Sequence, residues 1–361
     1  MAAADPGTFT GRGVPARDPG VPGERTGVGR AHGKAILLGE HAVVYGAPAL
    51  ALPVPQLAVT AGATGRHRAR EGEDEVSFTV TGPGSEPVAP PTEGLRRLVA
   101  EFKRRTGLAG RLRVEVLVDC AIPQGRGLGS SAACARAAVL ALADLFGRGL
   151  DAGTVFDLVQ ASENVAHGRA SGIDAVATGA DSLVLFRSGT VQELPVALAG
   201  GGPVRPHEPA GGHIGGFDGL FVIADSGVSG STREAVELLR HGFERDAGTR
   251  TKFVGRVSDL TDAAAAALAD GRPGELGARM TENHELLHEV GLSTDRIDAL
   301  VGAALASGGL GAKISGGGLG GCMIALAGDP AHAEDVVRSL RDTGAVRTWV
   351  VPVGRFARHA G

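Results

Sequence analysis

The sequence predicts an α+β protein of two domains. The chain has 361 residues, and about two domains of ordinary size fit that length. Short apolar segments of strand length are interspersed with longer stretches of helical periodicity. Residues 199–216 are dominated by glycine and proline, which makes them the best candidate for a domain boundary. We therefore expect an N-terminal domain over 28–198 and a C-terminal domain over 217–361.

The first half mixes strands and helices after a tail. Residues 1–27 are rich in glycine, proline and arginine without periodicity, and we expect them to be disordered. Apolar and alternating segments predict strands at 28–40, 57–60, 76–80 and 112–118, with the charged residues 66–75 as a solvated hairpin. Helical spacing predicts helices at 94–106, 131–146 and 153–166, and a strand hairpin follows over 183–194.

The second half is predicted to separate its strands by helices. A buried type of strand is expected at 220–224. Four helices are expected after it, at 231–244, 251–270, 274–290 and 294–306. Residues 313–327 predict a glycine loop and a strand, followed by a helix near 331–342 and a last strand over 346–353.

Composition excludes several classes of protein. The net charge of −4 gives no basis for a nucleic acid or an anionic membrane as partner. No apolar run reaches the ~18 residues that a transmembrane helix needs, and the first residues lack the apolar core of a signal peptide. We therefore expect a cytoplasmic protein. Its three cysteines have no metal-ligand spacing, so we expect free thiols and no structural zinc site.

The stretch at 123–133, PQGRGLGSSAA, predicts a phosphate-binding loop. Gly125, Gly127 and Gly129 allow positive φ angles and bring backbone N–H groups close to a ligand. An alanine-rich helix follows directly, and its N-terminus carries a partial positive charge. The alternative is a flexible turn in front of a buried helix.

Two further glycine-rich segments, at 33–46 and 313–322, also favour a phosphate ligand. None of the three segments fits a Walker A motif, because no lysine is followed by serine or threonine. None fits a dinucleotide-binding fingerprint with an acidic residue on the next strand. The sequence therefore disfavours P-loop ATPases and NAD-dependent enzymes.

Phosphoryl transfer requires a phosphate cradle, a divalent cation, a protein cation and a group that orients the acceptor hydroxyl. Oxygen ligands for Mg²⁺ could come from Ser130, Ser131 and Glu163. Asp174 could act as the base, and Lys34 could neutralise charge on the transferred group. Each has a structural alternative: a solvated helix face for Glu163, a helix cap for Asp174 and a snorkelling side chain for Lys34.

From about residue 28 onward the chain resembles the GHMP kinases, and among them the mevalonate kinases. The segment GKAILLGEHAVVYGAPALALP resembles the family's first motif, PQGRGLGSSAA its second and KISGGGLGGCMIAL its third. ENVAHGRASGID resembles the stretch with a metal-binding glutamate and the catalytic aspartate. DSGVSGSTREAV resembles the substrate-side threonine segment.

The resemblance implies a GHMP kinase fold: an N-terminal domain like domain 2 of ribosomal protein S5, a ferredoxin-like C-terminal domain, and an active site in the cleft between them. It implies ATP and Mg²⁺, with transfer to the C5 hydroxyl of mevalonate. Asp174 and Lys34 would be catalytic, while Ser131 and Glu163 would hold the metal ion. Mevalonate would lie near Lys34, Glu40, His41, Asp174, Thr232 and Gly317. The residues implied at the nucleotide are Pro123, Gln124, Gly125, Arg126, Gly127, Leu128, Gly129, Ser130 and Ser131, with Ser130 as the helix cap.

The chain departs from the family pattern at three positions. His32 stands where proline is usual, Cys120 where serine or threonine is usual, and Leu319 interrupts a glycine run. None of these changes removes a charged catalytic group. Two alternatives stay open: a GHMP kinase for another alcohol such as a sugar or homoserine, and a non-catalytic ligand sensor. Family analogy also suggests a homodimer.

Overall fold

The computed structural model describes residues 25–68, 73–83, 87–88, 92–168, 170–194, 196–198 and 216–358. The predicted tail, 1–27, and the predicted boundary segment, 199–216, lie almost entirely outside the described residues. In the described chain the two halves each form a sheet covered by helices.

The N-terminal sheet has seven strands, with the order β4-β3-β5-β2-β6-β7 and with β1 paired to β2. β5 shows a strict alternation of buried and partly or fully exposed residues, as expected for a sheet with one face on a core. The strands are β1 (Thr26–Leu38), β2 (Ala49–Arg68), β3 (Glu75–Thr81), β4 (Pro87–Val88), β5 (Arg111–Cys120), β6 (Leu183–Arg187) and β7 (Thr190–Leu194).

The predicted hairpin at 66–75 is wrong. β2 pairs with β5 in antiparallel orientation, and β3 pairs with β5 in parallel orientation. β5 therefore lies between the two strands that the hairpin would have joined. The later hairpin is confirmed, because β6 and β7 pair directly across a turn at Ser188 and Gly189.

The N-terminal helices are α1 (Thr92–Thr106), α2 (Ser130–Leu145), α3 (Ala152–His167) and α4 (Ile173–Ala177). α2 is apolar on almost all sides, and its buried residues are mostly alanine. Such a helix belongs in an interior. Small side chains let it pack closely on β1 and β2, so α2 starts at a fixed position beneath the loop at 123–129.

The C-terminal half forms a four-stranded antiparallel sheet of order β11-β8-β10-β9. In chain order this is 4-1-3-2, the ferredoxin-like arrangement that was expected. The strands are β8 (Gly219–Asp225), β9 (Gly311–Ser315), β10 (Cys322–Ala327) and β11 (Arg347–Val353). The helices are α5 (Thr232–Arg245), α6 (Ala247–Ala269), α7 (Pro273–Glu289), α8 (Asp295–Ala306), α9 (Pro330–Asp342) and α10 (Arg355–Arg358).

The four predicted helices after β8 are confirmed as α5 to α8, each within a few residues. The segment at 313–327 differs from its prediction, since strands lie on both sides of the glycine loop. That loop, 316–321, joins β9 to β10 and faces the N-terminal half.

A large apolar cluster runs through both halves. It includes Leu37 and Phe102 from the N-terminal half, and Phe221 and Ile324 from the C-terminal sheet. Shared apolar burial of this kind fixes the two halves against each other. All three cysteines are buried free thiols. Among the described helices, none has the length and apolar character to cross a membrane.

Candidate active site

Lys34 lies on β1, directly after an irregularity in the pairing of that strand with β2. The register with β2 shifts between His32 and Gly33, and a local irregularity of this kind re-aims the side chains that follow it. The Lys34 ammonium lies 3.0 Å from Asp174 Oδ1 and donates to the Gly127 carbonyl at 3.1 Å. Its side chain is only 4 % exposed, whereas that of Asp174 is 36 % exposed. The pair therefore has a buried cation and a solvent-facing carboxylate.

Asp174 lies in the first turn of α4, and this short helix is tied to β1. The Thr178 hydroxyl donates to the Asp174 carbonyl at 2.9 Å, and the His32 amide donates to the Thr178 carbonyl at 3.1 Å. Arg136 of α2 donates to the Ala175 carbonyl at 3.1 Å. Because α4 is held from two sides, the Asp174 carboxylate has a defined position beside Lys34.

The loop at 123–129 adopts the predicted conformation. Gly125, Gly127 and Gly129 all have φ between 65° and 77°, the left-handed region that favours glycine. The prediction that Ser130 caps α2 is wrong: Gly129 is the N-cap, and it has no side chain to supply a hydrogen bond. The first amide groups of α2 consequently depend on water or an anion for partners.

Ser131 and Glu163 are brought together from α2 and α3. The Ser131 hydroxyl donates to Glu163 Oε1 at 2.6 Å. Burial raises the pKa of Glu163 to about 7, Asp174 adds to the rise, and Ser131 and Lys34 oppose it. The solvated-face alternative is therefore wrong, because Glu163 is a buried acid held next to the start of α2.

Several of the residues expected near the substrate also lie close together. Burial and the nearby Lys313 charge lower the pKa of His41 to about 4, partly offset by a hydrogen bond involving the Gly317 backbone. His41 has φ 58°, so it adopts a left-handed turn directly after Glu40. A Cβ atom on Gly317 would lie 2.3 Å from Thr232 Oγ1, so only glycine permits this contact. Residues 41, 232 and 317 thus lie together, and Glu40 immediately precedes His41.

The phosphate loop contacts the C-terminal half directly. A Cβ atom on Gly316 would approach the Gly127 Cα to 2.7 Å, which shows that the two glycine loops touch through backbone. Arg126 was implied at the nucleotide, yet its guanidinium lies 3.0 Å from Asp225 Oδ1 and donates to Ser229 Oγ at 2.9 Å. Arg126 therefore links the loop to β8 and to the segment that follows it.

Three residues with structural roles at this site were not predicted from the sequence. Lys313 forms a fully buried ion pair with Glu40. Ser315 accepts from the Ile36 amide at 2.9 Å and donates to the Ile36 carbonyl at 3.0 Å, so it joins β9 to β1. Asp225 is the partner of Arg126. The scarcity of lysine, with four in the chain, was the one signal that could have indicated Lys313.

The geometry is suited to phosphoryl transfer: a glycine cradle at a helix N-terminus, with a lysine–aspartate pair and a serine–glutamate pair close to it and to each other. In the described part of the chain there is no cluster of three or more His, Cys, Asp or Glu residues suited to a metal ion. A metal ion at this site would therefore take only one or two protein oxygens, as Mg²⁺ does when phosphate groups and water complete its shell.

Comparison with known proteins places this geometry in a family. Residues 94–180 match the family model described as GHMP kinases N terminal domain, and residues 264–346 match GHMP kinases C terminal. A mevalonate kinase from Thermococcus sibiricus is 30% identical over 332 residues, which span 86% of this chain and 91% of the relative. The chain belongs to the GHMP kinase family. A mevalonate kinase from Aeropyrum pernix is 31% identical over 303 residues, spanning 82% of this chain and 87% of the relative.

Solved structures of GHMP kinases have the same fold. The L. major mevalonate kinase in complex with R-mevalonate superimposes with a TM-score of 0.71 at 23% identity, covering 92% of this chain and 97% of that chain. A mevalonate kinase from methicillin-resistant Staphylococcus aureus gives 0.63 at 26% identity, with 90% and 98% covered. The expected GHMP kinase fold is therefore confirmed, and the chain is an ATP-dependent kinase of a small molecule.

Glu163→Gln is expected to stabilise the metal-free protein at alkaline pH. The folded pKa of about 7 lies above the ordinary value of 4.5, so the contribution of Glu163 to stability is present below pH 4.5 and is lost as the pH rises through 7. This difference in pKa corresponds to about 3 kcal/mol of lost free energy of unfolding at pH 8. Thermal denaturation in EDTA at pH 5 and pH 8 measures it, with a higher Tm for the variant only at pH 8.

Asp157→Asn is the matched control, because Asp157 is exposed on the same helix. Its Tm difference from the wild type should be small at both pH values. A Glu163→Gln variant that lost stability equally at pH 5 and pH 8 would contradict the assignment of a buried carboxylate with a raised pKa.

Proposed function

We propose that the protein transfers the γ-phosphoryl group of ATP to the C5 hydroxyl of (R)-mevalonate, giving 5-phosphomevalonate and ADP for isoprenoid biosynthesis. The observation that carries the proposal is the Lys34–Asp174 pair at 3.0 Å, placed directly beside the glycine loop at the start of α2. Full-length relatives named mevalonate kinase support mevalonate as the substrate.

In this mechanism the ATP phosphates lie over residues 123–131, where backbone N–H groups and the N-terminus of α2 offset their charge. Asp174 accepts a hydrogen bond from the C5 hydroxyl, orients its oxygen towards the γ-phosphorus and takes its proton as the bond forms. Lys34 stabilises negative charge on the transferred group. Since phosphoryl transfer proceeds through a loose transition state, positioning and electrostatics dominate over base strength.

Ser131 and Glu163 fit a Mg²⁺ ion. They offer a hydroxyl and a carboxylate oxygen in contact, at the edge of the phosphate cradle, and the carboxylate is buried. When bound, Mg²⁺ would neutralise charge on the phosphates. Ionised Glu163 is the form that binds metal, so its raised pKa makes metal binding favour alkaline pH.

Release of ADP from ATP, measured by a coupled assay, tests the proposal with four acceptors: mevalonate, galactose, homoserine and phosphomevalonate. We expect turnover with mevalonate and background rates with the other three. Turnover with galactose or homoserine in preference to mevalonate would assign the site to another alcohol. No turnover with any acceptor would indicate a non-catalytic sensor.

Glu163→Gln is expected to raise the Mg²⁺ concentration for half-maximal activity by about tenfold or more, because a neutral amide is a weaker ligand for a hard cation. A magnesium titration at saturating ATP and mevalonate measures the shift. Asp157→Asn again serves as control and should titrate like the wild type. An unchanged titration for Glu163→Gln would exclude a metal role.

The homodimer and the cytoplasmic location are further proposals, supported by family analogy and by the sequence. Light scattering coupled to gel filtration measures the mass in solution, and a mass near 36.4 kDa would show a monomer instead of a homodimer. Fractionation of the source cells tests the cytoplasmic location.

A further inference from the structure

Lys313 connects the two domains through an ion pair that is closed to solvent. Its side chain is 0% exposed and that of Glu40 is 2% exposed. The ammonium donates to Glu40 Oε1 and to the Ile314 carbonyl. Lys313 lies on β9 of the C-terminal sheet, and Glu40 lies in the turn after β1 of the N-terminal sheet. A lysine so deeply buried requires a reason, because desolvation of both charges is costly.

The other oxygen of the same carboxylate has no protein partner. Glu40 Oε2 is buried and makes no hydrogen bond among the described residues, and neither does His41 Nε2 beside it. Buried polar atoms are nearly always satisfied in folded proteins. The two exceptions belong to consecutive residues, and His41 lies beside Gly317, which packs against Thr232; together they indicate a ligand that supplies the missing bonds. An alcohol can do so, since its hydroxyl donates to a carboxylate oxygen.

Nearby titratable groups do not compete for the carboxylate. Burial, together with the Lys313 charge, lowers the pKa of His284 to about 4, so that ring is neutral at pH 7. His284 accepts a hydrogen bond from the Ile314 amide and faces Asp298 on its other side. His41 is neutral for the same reasons of burial and charge. Lys313 is therefore the cation that is paired with Glu40.

We propose that Lys313 is a positioning residue for the acceptor: it holds Glu40 through Oε1 alone, and so presents Oε2 to a hydroxyl group of the substrate. The inference rests on the proposed function, because it places an alcohol in this region. The choice of lysine matters. An ammonium is a point donor that engages one oxygen, whereas a guanidinium binds a carboxylate through both oxygens.

Lys313→Arg tests this directly. The variant keeps the buried positive charge but engages both oxygens of Glu40. We expect the KM for mevalonate to rise about 10- to 100-fold, because the substrate loses one charge-assisted hydrogen bond. The KM for ATP and the kcat should change little. A folded Lys313→Arg enzyme with the wild-type KM for mevalonate would overturn the inference.

A second pair of variants decides the question if Lys313→Arg does not fold. Glu40→Gln and the double variant Lys313→Met with Glu40→Gln differ only in the lysine, and the double variant contains no buried charge at this position. If Lys313 acts through Glu40, the two have the same KM for mevalonate. A further rise of tenfold or more in the double variant would mean that Lys313 acts on something else, and would overturn the inference.

Ser315→Ala is the matched structural control. Ser315 lies two residues along the same strand and also joins β9 to β1, through Ile36. Its loss should lower Tm and leave the KM for mevalonate unchanged. If Ser315→Ala raised that KM as much as Lys313→Arg, the effect would be a general loosening between the domains, and the positioning role would be excluded.

The acceptor panel separates failure of this inference from failure of the proposed function. If the wild type prefers another alcohol, the mevalonate assignment is wrong, and the Lys313 variants are compared with that alcohol by the same KM criterion. If mevalonate is the substrate and Lys313→Arg keeps its KM, only the positioning role is wrong. If no alcohol is phosphorylated, both are wrong.

Discussion

Asp174→Asn is expected to lower kcat by about 10³-fold, the usual scale for losing a positioned general base. The amide can still accept a hydrogen bond from the acceptor hydroxyl, but it cannot take the proton and no longer balances the Lys34 charge. The KM for ATP should change little, because the phosphate loop does not depend on Asp174. Steady-state kinetics, with circular dichroism to confirm the fold, measure the effect.

Asp181→Asn is the control for that experiment. Asp181 follows α4 by only a few residues, yet it is exposed, and no ion pair of the described residues joins it to Lys34. Its turnover should match that of the wild type. If Asp174→Asn retained turnover within a few-fold of the wild type, Asp174 could not be the base, and the role of the pair would fall to Lys34 alone.

The sequence alone predicted most helices and strands, because their periodicity is a local property. α5 to α8 follow the spacing of their apolar residues within a few positions. The hairpin between β2 and β3 was wrong for a non-local reason. Alternation predicts that a segment is a strand, but it does not predict which strand lies beside it, and here β5 enters between the two.

Within the site, local sequence rules predicted some features, whereas others came only from the resemblance to a family. The glycine loop followed from residue type and helix spacing, but Gly129 rather than Ser130 is the N-cap. The pairing of Lys34 with Asp174 came from resemblance, since 140 residues separate them and no local pattern joins them. Lys313 and Glu40 are 273 residues apart. Their pairing depends on how the two sheets pack, which only a structure reveals.

Lys34→Met is the second substitution from which we expect a large fall in kcat. Methionine has a similar length and no charge, so it removes the stabilisation of the transferred group and should lower kcat by about 10²- to 10³-fold. Lys34→Arg is not expected to restore activity. The Lys34 side chain is only 4 % exposed, and its ammonium contacts both Asp174 Oδ1 and the Gly127 carbonyl, so a larger guanidinium would displace these contacts.

Lys103→Met provides a matched control, because Lys103 also pairs with an aspartate, Asp74, at 2.7 Å, but lies on α1 and not in a glycine loop. Its kcat should equal that of the wild type. Reduced turnover in this variant would indicate that loss of any such pair slows the enzyme through stability.

The double variant, Lys34→Met with Asp174→Asn, distinguishes joint from independent action. If lysine and aspartate work as one unit on the same proton and phosphoryl group, the double variant should be about as slow as the slower single variant, because each change already disables the unit. Independent roles would instead multiply the two losses. The position of Lys34 favours the first result, because its buried ammonium lies 3.0 Å from the solvent-facing carboxylate of Asp174.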